Sequence, residues 1–237
     1  MTEVTERSEP QGRPTGLTRE LMAMRVAQEL RPGMAVNLGI GLPTQVAGFL
    51  PEGVPVLFQA ENGILGYGGI KDGGDYDQDL INAGGQPVTL LPGASFFDSA
   101  TSFGMIRGGH IDVAVLGGLQ VSERGDLANW YVPDRGGGSV GGAMDLAVGA
   151  RRLIVVMEHT TREGAPRILR ECDYPLTGQA CVDLIVTDLA VIEVTPDGLV
   201  LTEVAPGVHP EDVRRLTQAP LADRGSIPEM ALRLPPP

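Results

Sequence analysis

The chain has 237 residues, enough for one large α/β domain with a substantial core. Its formal net charge of −12 argues against a nucleic acid or an anionic membrane surface as partner, because both require clustered Lys and Arg. The sequence begins with no secretory signal pattern and contains no apolar run as long as a membrane span, so a cytoplasmic protein is expected.

The sequence up to residue 186 predicts a short helix followed by a mostly parallel sheet. Residues 1–17, with several Pro and Gly among polar neighbours, are expected to form a disordered leader, and residues 18–220 a single domain. Thr18 is expected to cap an exposed amphipathic helix. Short runs rich in Val, Ile and Leu then alternate with glycine-rich turns and helix-compatible segments. The runs cover 34–38, 54–58, 87–91, 111–116, 153–157 and 182–186, and the helical segments 43–50 and 98–106. This alternation predicts an α/β fold, an open, mostly parallel sheet covered by helices on both faces.

The C-terminal part predicts an antiparallel edge to this sheet. Two apolar runs, 190–194 and 199–204, flank a turn that contains Asp197-Gly198, and Asp-Gly before a strand is a hairpin signal. A short helix is expected over 210–216. Residues 221–237, which end in Leu-Pro-Pro-Pro, are expected to form an extended tail.

Two cysteines, Cys172 and Cys181, and three histidines show no spacing typical of metal ligands. We therefore expect no metal site and two reduced thiols.

A glycine turn follows the first predicted strand. Gly39 and Gly41 open a segment close to the dinucleotide fingerprint G-x-G-x-x-G, with an acidic residue about twenty positions later at Glu61, but Thr44 occupies the place of the third glycine. The two glycines are better interpreted as a turn that brings backbone amides towards a ligand at the carboxyl ends of the strands.

Glu61 follows the second predicted strand and precedes another glycine-rich stretch. Glu-Asn-Gly can form a plain surface turn. At this position, however, it lies at the strand-end crevice where open α/β sheets bind their ligands, which favours chemistry.

Several motifs in one order resemble the B subunits of class I, 3-oxoacid-type CoA-transferases. Glu61-Asn62-Gly63-Ile64-Leu65-Gly66 is similar to the Glu-Asn-Gly signature of that family, and the resemblance covers about residues 18–220. Further matching segments are Asn37-Leu38-Gly39-Ile40-Gly41, Asp79-Leu80-Ile81-Asn82-Ala83-Gly84, Leu91-Pro92-Gly93-Ala94-Ser95, Arg107-Gly108-Gly109-His110-Ile111-Asp112, Asn129-Trp130, Gly141-Gly142-Ala143-Met144-Asp145-Leu146, Glu158-His159-Thr160, Pro175-Leu176-Thr177-Gly178 and Ala205-Pro206-Gly207-Val208.

The resemblance implies transfer of coenzyme A from an acyl-CoA to a carboxylic acid, typically a 3-oxo acid, through a glutamyl-CoA thioester at Glu61. It implies a CoA thioester as substrate, no tightly bound cofactor, and a separate A-type CoA-transferase chain in a hetero-oligomer. Backbone amides of Gly141, Gly142 and Ala143 are the implied oxyanion donors. The implied substrate-binding or CoA-binding residues are Asn37, Gly39, Gly41, Asn62 and Gly63.

Alternatives remain at this stage. Water in place of the acceptor acid would make the protein an acyl-CoA hydrolase, and loss of activity would leave a non-catalytic subunit. The two glycines before Ala143 can also serve tight packing, and Asn37 can form a turn. His110 and His159 are assigned structural hydrogen bonds, because carboxylate attack on a thioester needs no proton removal.

Two lysines common in the family are replaced here by Gly85 and Gly138. Their loss should weaken recognition of a second carboxylate or a keto-acid head group. Lys71 and Arg135 lie close enough in sequence to replace the lost cations.

Overall fold

The computed structural model describes residues 14–50, 54–70, 76–133 and 138–232. Most of the predicted leader and the final Leu-Pro-Pro-Pro lie outside these ranges. Leu17, the last residue assigned to the leader, donates its N–H to the Asp188 carbonyl at 2.7 Å and packs against the core. Within the described ranges, no helix is long and apolar enough to cross a membrane.

The described residues form four α-helices, one 3-10 helix and thirteen strands. The strands are β1 Ala35–Leu38, β2 Leu57–Ala60, β3 Ile64–Ile70, β4 Val88–Phe96, β5 Val113–Gly117, β6 Gln120–Ser122, β7 Leu127–Ala128, β8 Leu153–Met157, β9 Ile168–Leu169, β10 Leu184–Thr187, β11 Ala190–Thr195, β12 Gly198–Val204 and β13 Leu221–Ala222. The helices are α1 Arg19–Ala27, the 3-10 helix Leu42–Phe49, α2 Ser99–Arg107, α3 Ala143–Gly149 and α4 Pro210–Arg215.

Ten strands make one sheet in the order β13-β12-β11-β10-β8-β5-β1-β2-β3-β4, and β7, β6 and β9 make a small second sheet. The five central strands, from β10 to β2, all pair in parallel. Their side chains are almost entirely buried, as expected for strands covered on both faces. The predicted α/β fold with a mostly parallel sheet is confirmed.

The two edges of the large sheet differ in how well the sequence predicted them. The hairpin of β11 and β12 closes between Thr195 and Gly198, which confirms the antiparallel edge near the C-terminus. At the other edge, β3 and β4 are also antiparallel, and this was not predicted. Glycines at three positions of β3 weaken its strand pattern, and the irregular register around Tyr67 accommodates them.

Four of the five described helices pack as two pairs, α1 with the 3-10 helix and α2 with α3. The Thr18 side chain caps α1 by accepting the Leu21 N–H at 3.4 Å, and Asp98 caps α2 by accepting the Thr101 N–H at 2.8 Å. The expectation that α1 is exposed is wrong, because six of its nine residues are buried. Arg25 is buried among them because Glu203 and Glu29 pair with its guanidinium.

The described part of the predicted C-terminal tail runs along the sheet. Leu221–Ala222 forms β13, which pairs in parallel with β12. Further on, Met230 is 3% exposed and joins the hydrophobic core.

Candidate active site

Glu61 opens a tight turn directly after β2, at the carboxyl end of the parallel strands. The Gly63 N–H closes the turn by donating to the Ala60 carbonyl at 3.0 Å. Gly63 has φ of 121°, and a Cβ at this position would lie 2.1 Å from the Phe97 carbonyl oxygen. Only glycine fits, so the turn that presents Glu61 is fixed by backbone geometry.

Asn62 holds a neighbouring segment to this turn. Its Nδ2 donates to the Ile81 carbonyl at 2.8 Å. In this structure the Asn62 side chain therefore has a structural contact, and the half-buried Glu61 side chain is the group that the turn presents.

Asn37 reaches Glu61 from the adjacent strand. Parallel pairing of β1 with β2 places Asn37 opposite Gln59, two residues before Glu61. Asn37 Nδ2 lies 3.1 Å from Glu61 Oε2, 2.6 Å from Gln59 Oε1 and 3.1 Å from the Gln59 carbonyl oxygen. The register of the parallel strands thus brings together two residues that the sequence analysis selected separately.

Gln59 and Ser102 belong to the same group of hydrogen-bonded side chains, and the sequence analysis did not predict them as site residues. Gln59 donates from Nε2 to Ser102 Oγ at 2.8 Å, and both side chains are 0% exposed. A glutamine within the otherwise apolar Leu57–Ala60 was an available signal, because a buried amide needs partners. Ser102 gave no such signal, since a serine within a helix is usually exposed.

Gly142 also lies close to Glu61. A Cβ at Gly142 would lie 3.7 Å from Glu61 Cγ and 3.1 Å from the Phe103 ring. The predicted oxyanion segment and the predicted nucleophile therefore meet in space. The Ala143 N–H donates to the Val140 carbonyl at 3.2 Å, whereas the N–H groups of Gly141 and Gly142 have no partner among the described residues.

Gly39 and Gly41 have different local roles. The Gly39 N–H donates to the Val115 carbonyl at 2.8 Å, and a Cβ there would lie 3.0 Å from Leu116 Cδ2, so a side chain at Gly39 would crowd the contact with β5. Gly41 is exposed with φ of 92° and starts the 3-10 helix. The Thr44 hydroxyl donates to the Gly41 carbonyl at 2.7 Å, which accounts locally for the departure from the dinucleotide fingerprint.

A cavity of about 660 Å³ opens beside this glycine turn. It lies at the carboxyl ends of β1, β5 and β8 and is lined in part by Ile40, Gly41 and Gly118. Both signs of charge border it: Arg19, Arg162, Arg167, Glu158 and Glu163. Glu61 lies on the neighbouring strand end, so an elongated ligand can run along this edge of the sheet.

Tyr67 is a buried, uncharged side chain near the Glu61 carboxylate. It is 3% exposed and stacks on Phe58 with ring centroids 5.4 Å apart. Burial raises the pKa of the Tyr67 phenol well above its usual value, and the nearby Glu61 charge raises it further. Tyr67 therefore stays protonated at neutral pH and adds no second negative charge to the site.

The expectation of a structural role is confirmed for His159. It is 0% exposed, and its two ring nitrogens lie 2.9 Å from Thr187 Oγ1 and 2.9 Å from Thr217 Oγ1. His110 is exposed. In the described ranges there is no group of three or more His, Cys, Asp or Glu side chains able to hold a metal ion.

The two positions that lack the family lysines are not equivalent. A Cβ at Gly138 would lie 1.9 Å from the Trp130 carbonyl oxygen, so no side chain fits there without a backbone shift. At Gly85 the space is open, although φ is 74°. Lys71 and Arg135, considered as replacement cations, lie outside the described residues.

Comparison with known proteins agrees with this geometry. The sequence profile described as "Coenzyme A transferase" matches residues 19–216. The chain belongs to the coenzyme A transferase family, and the prediction of a CoA-transferase is confirmed.

Relatives specify which of the family's two chain types this is. The chain is 50% identical over 209 residues to the B subunit of a probable succinyl-CoA:3-ketoacid coenzyme A transferase of Bacillus subtilis, covering 88% of this chain and 97% of the relative. It is 53% identical over 201 residues to the beta subunit of the acetate CoA-transferase of Escherichia coli K12, covering 85% and 92%. The B subunit of the 3-oxoadipate CoA-transferase of Acinetobacter baylyi is 50% identical over 209 residues, covering 87% and 96%. The resemblance to class I B subunits is confirmed.

Solved structures share the fold. An acyl-CoA transferase from Escherichia coli O157:H7 superimposes with a TM-score of 0.73 at 23% identity over 92% of this chain, which spans 44% of that longer protein. Glutaconate coenzyme A-transferase from Acidaminococcus fermentans gives a TM-score of 0.67 at 20% identity, covering 93% of this chain and 92% of that one. A decarboxylase, AibA/AibB, gives 0.64 at 18% identity, covering 91% and 90%. Because the same fold carries a different reaction, the site must decide the chemistry.

Proposed function

We propose that this chain transfers coenzyme A from an acyl-CoA to a carboxylic acid by ping-pong covalent catalysis at Glu61. The observation that carries the proposal is the meeting of three elements: the carboxylate at the end of β2, Asn37 Nδ2 at 3.1 Å from its Oε2, and Gly142 packed against its Cγ. A carboxylate held in place beside backbone amides that have no partner among the described residues suits acyl transfer.

In the first half of the reaction, Glu61 exchanges an acyl group for coenzyme A. A carboxylate oxygen attacks the thioester carbonyl, the C–S bond breaks, and CoA leaves as a thiolate, so that an acyl-glutamyl anhydride forms. The thiolate then attacks the Glu61 carbonyl carbon and expels the donor acid as a carboxylate. The product is a glutamyl-CoA thioester, and no proton has moved.

In the second half, the acceptor carboxylate attacks the glutamyl thioester and releases the CoA thiolate. The thiolate attacks the acceptor's acyl carbon in the new anhydride, which regenerates the Glu61 carboxylate and gives the product acyl-CoA. Each tetrahedral intermediate carries an oxyanion. We propose the Gly141 and Gly142 amides as its donors, each contributing about 3 kcal/mol.

The proposed acceptor is a carboxylic acid of the 3-oxo class. Support comes from relatives named for 3-ketoacid and 3-oxoadipate transfer, whereas the relative named for acetate supports a simple carboxylate. CoA acts as a thioester substrate, with no tightly bound cofactor proposed. The free cysteines at 172 and 181 are compatible with the reducing cytoplasm that we propose as the location.

We further propose a hetero-oligomer with an A-type CoA-transferase chain. Relatives about half identical are named as B or beta subunits, and this chain corresponds to 44% of the longer acyl-CoA transferase that shares its fold. The partner would complete the pocket around the half-buried Glu61.

The test traps the covalent intermediate. The chain, alone and with its A-type partner, is incubated with an acyl-CoA and then reduced with borohydride, which converts a glutamyl-CoA thioester to an alcohol. Peptide mass spectrometry should find this change at Glu61. An unmodified Glu61 under both conditions would reject the proposal, and acyl-CoA consumption that is equal with and without an acceptor acid would identify a hydrolase.

A further inference from the structure

Two buried polar side chains lie behind Glu61 and take no part in the bond changes described above. Gln59 in β2 and Ser102 in α2 are both 0% exposed. Burying such groups costs free energy unless they are hydrogen-bonded, and both belong to one chain of hydrogen bonds. Ser102 Oγ accepts from Gln59 Nε2 at 2.8 Å, and Gln59 Oε1 accepts from Asn37 Nδ2 at 2.6 Å.

The direction of this chain of hydrogen bonds fixes the Gln59 amide. As it lies, each contact joins one donor to one acceptor. A reversed Gln59 amide would place its NH2 group against the NH2 group of Asn37, donor against donor. In this orientation Ser102 Oγ accepts from Nε2 and holds the far end of the Gln59 side chain in place.

The Gln59 amide in turn fixes Asn37. Three oxygens surround Asn37 Nδ2, which has only two hydrogens. The shortest contact, to Gln59 Oε1, takes one hydrogen. Because the amide is planar, this sets the direction of the second hydrogen, which the Gln59 carbonyl and Glu61 Oε2 share at 3.1 Å each.

Among the described residues, hydrogen bonds hold Glu61 through one carboxylate oxygen. Asn37 binds Oε2, and no hydrogen bond to Oε1 is found in the part of the chain that the structure describes. One carboxylate oxygen is positioned and the other is available for attack.

We infer that Gln59 and Ser102 are positioning residues, which act through Asn37 to hold Glu61 Oε2 and leave Oε1 as the attacking oxygen. The inference rests on the proposed covalent function. It adds a series of hydrogen bonds that runs from Ser102 in α2 to the proposed nucleophile and holds it in position. Small displacements of a reacting group can cost up to about 100-fold in rate, so loss of this support should appear in kcat.

The test is a double-mutant cycle of Ser102→Ala and Gln59→Met, measured in the complex with the A-type partner. Readouts are kcat, KM for the acyl-CoA, the rate of thioester formation at Glu61, and thermal unfolding. We expect Ser102→Ala to lower kcat and the rate of thioester formation about 5-fold, and Gln59→Met about 30-fold, with KM nearly unchanged. The double variant should match Gln59→Met alone, because Ser102 acts only through Gln59.

Ser122 offers a matched control. It is also a 0% exposed serine, but its hydroxyl binds within its own turn, donating to Asp126 Oδ2 at 2.8 Å and accepting the Asp126 N–H at 3.0 Å. Ser122→Ala should lower thermal stability and leave the kcat of the folded enzyme unchanged.

The outcomes separate the two proposals. If wild-type enzyme forms the Glu61 adduct and Ser102→Ala has the same kcat as Ser122→Ala, the positioning inference is overturned and the covalent function stands. The inference is also overturned if the reductions in kcat of Ser102→Ala and Gln59→Met multiply in the double variant. If wild-type enzyme forms no adduct, the proposed function fails and the inference fails with it. Should Gln59→Met not fold, Ser102→Cys is measured beside Ser102→Ala. The inference then requires kcat to fall from wild type to Ser102→Cys and further to Ser102→Ala, because a thiol is a weaker acceptor than a hydroxyl.

Discussion

Two deeply buried polar clusters lie beside the central sheet and differ in what they hold. The Asn37 cluster consists of Asn37, Gln59 and Ser102, and the His159 cluster of His159, Thr187 and Thr217. Each links a strand to a neighbouring element, and no member is more than 8% exposed.

The two clusters differ in which residues their hydrogen bonds reach. Both ring nitrogens of His159 contact threonine hydroxyls, and its backbone N–H donates to Asp188 Oδ1 at 2.7 Å, so these contacts all join buried residues. The Asn37 cluster ends at the half-buried Glu61, and Asn37 Oδ1 has no partner among the described residues. A buried polar cluster that ends in the core stabilises the fold, whereas one that ends at an accessible carboxylate is suited to hold that carboxylate for chemistry.

The largest effect is expected at the exposed end of the Asn37 cluster. Glu61→Gln removes the nucleophilic carboxylate, so CoA transfer should fall by about 1,000-fold or more. Glutamine keeps a side-chain oxygen that can accept from Asn37, so thermal unfolding should be close to wild type. Steady-state assays and the borohydride trap measure the first expectation, and circular dichroism the second. Activity within about ten-fold of wild type would contradict the assignment of Glu61.

His159→Ala addresses the other cluster. It removes the partner of two buried hydroxyls and leaves a cavity, so the free energy of unfolding should drop by about 3 kcal/mol. Because this cluster does not reach Glu61, kcat per folded molecule should stay within about two-fold. Urea unfolding monitored alongside single-turnover kinetics tests both statements. If His159→Ala were as stable as wild type but had a lower kcat, His159 would contribute to the reaction. The two clusters would then not differ in function.

Asn37→Leu should separate binding from positioning in the Asn37 cluster. Leucine has a similar size but no donor, so Glu61 Oε2 loses its hydrogen bond and Gln59 Oε1 its partner. We expect kcat to fall about 30-fold, a larger change than in KM. Initial rates over a range of acyl-CoA concentrations measure the split, with His159→Ala as a control for lost stability. An effect confined to KM would show that Asn37 binds substrate without orienting the carboxylate.

The smallest effect concerns the two positions that lack the family lysines. Gly85→Lys enters open space at positive φ and should cost about 1 to 2 kcal/mol of stability. Gly138→Lys should cost more, because its Cβ meets the Trp130 carbonyl. Thermal unfolding of both variants ranks them. Equal losses would show that the backbone around Gly138 adjusts to a side chain.

Much of the fold could be predicted from local patterns. The run 153–157 coincides with β8, the Asp-Gly hairpin forms as expected, and Thr18 caps α1. Each signal lies within a few residues of the structure it specifies. β3 could not be predicted in the same way, since its glycines hide the strand pattern and its partners in β4 lie 18 to 32 residues further along the chain.

For the candidate active site, the sequence by itself predicted the proposed nucleophile and the turn that carries it, because Glu61 and Gly63 are neighbours in one short motif. Only the tertiary structure decided what surrounds the carboxylate. The parallel register of β1 and β2 sets Asn37 opposite Gln59, and α2 brings Ser102 to the same amide across 43 residues. Such contacts arise from strand pairing and helix packing between distant segments, which no local periodicity encodes, so the support of the nucleophile became visible only in the folded chain.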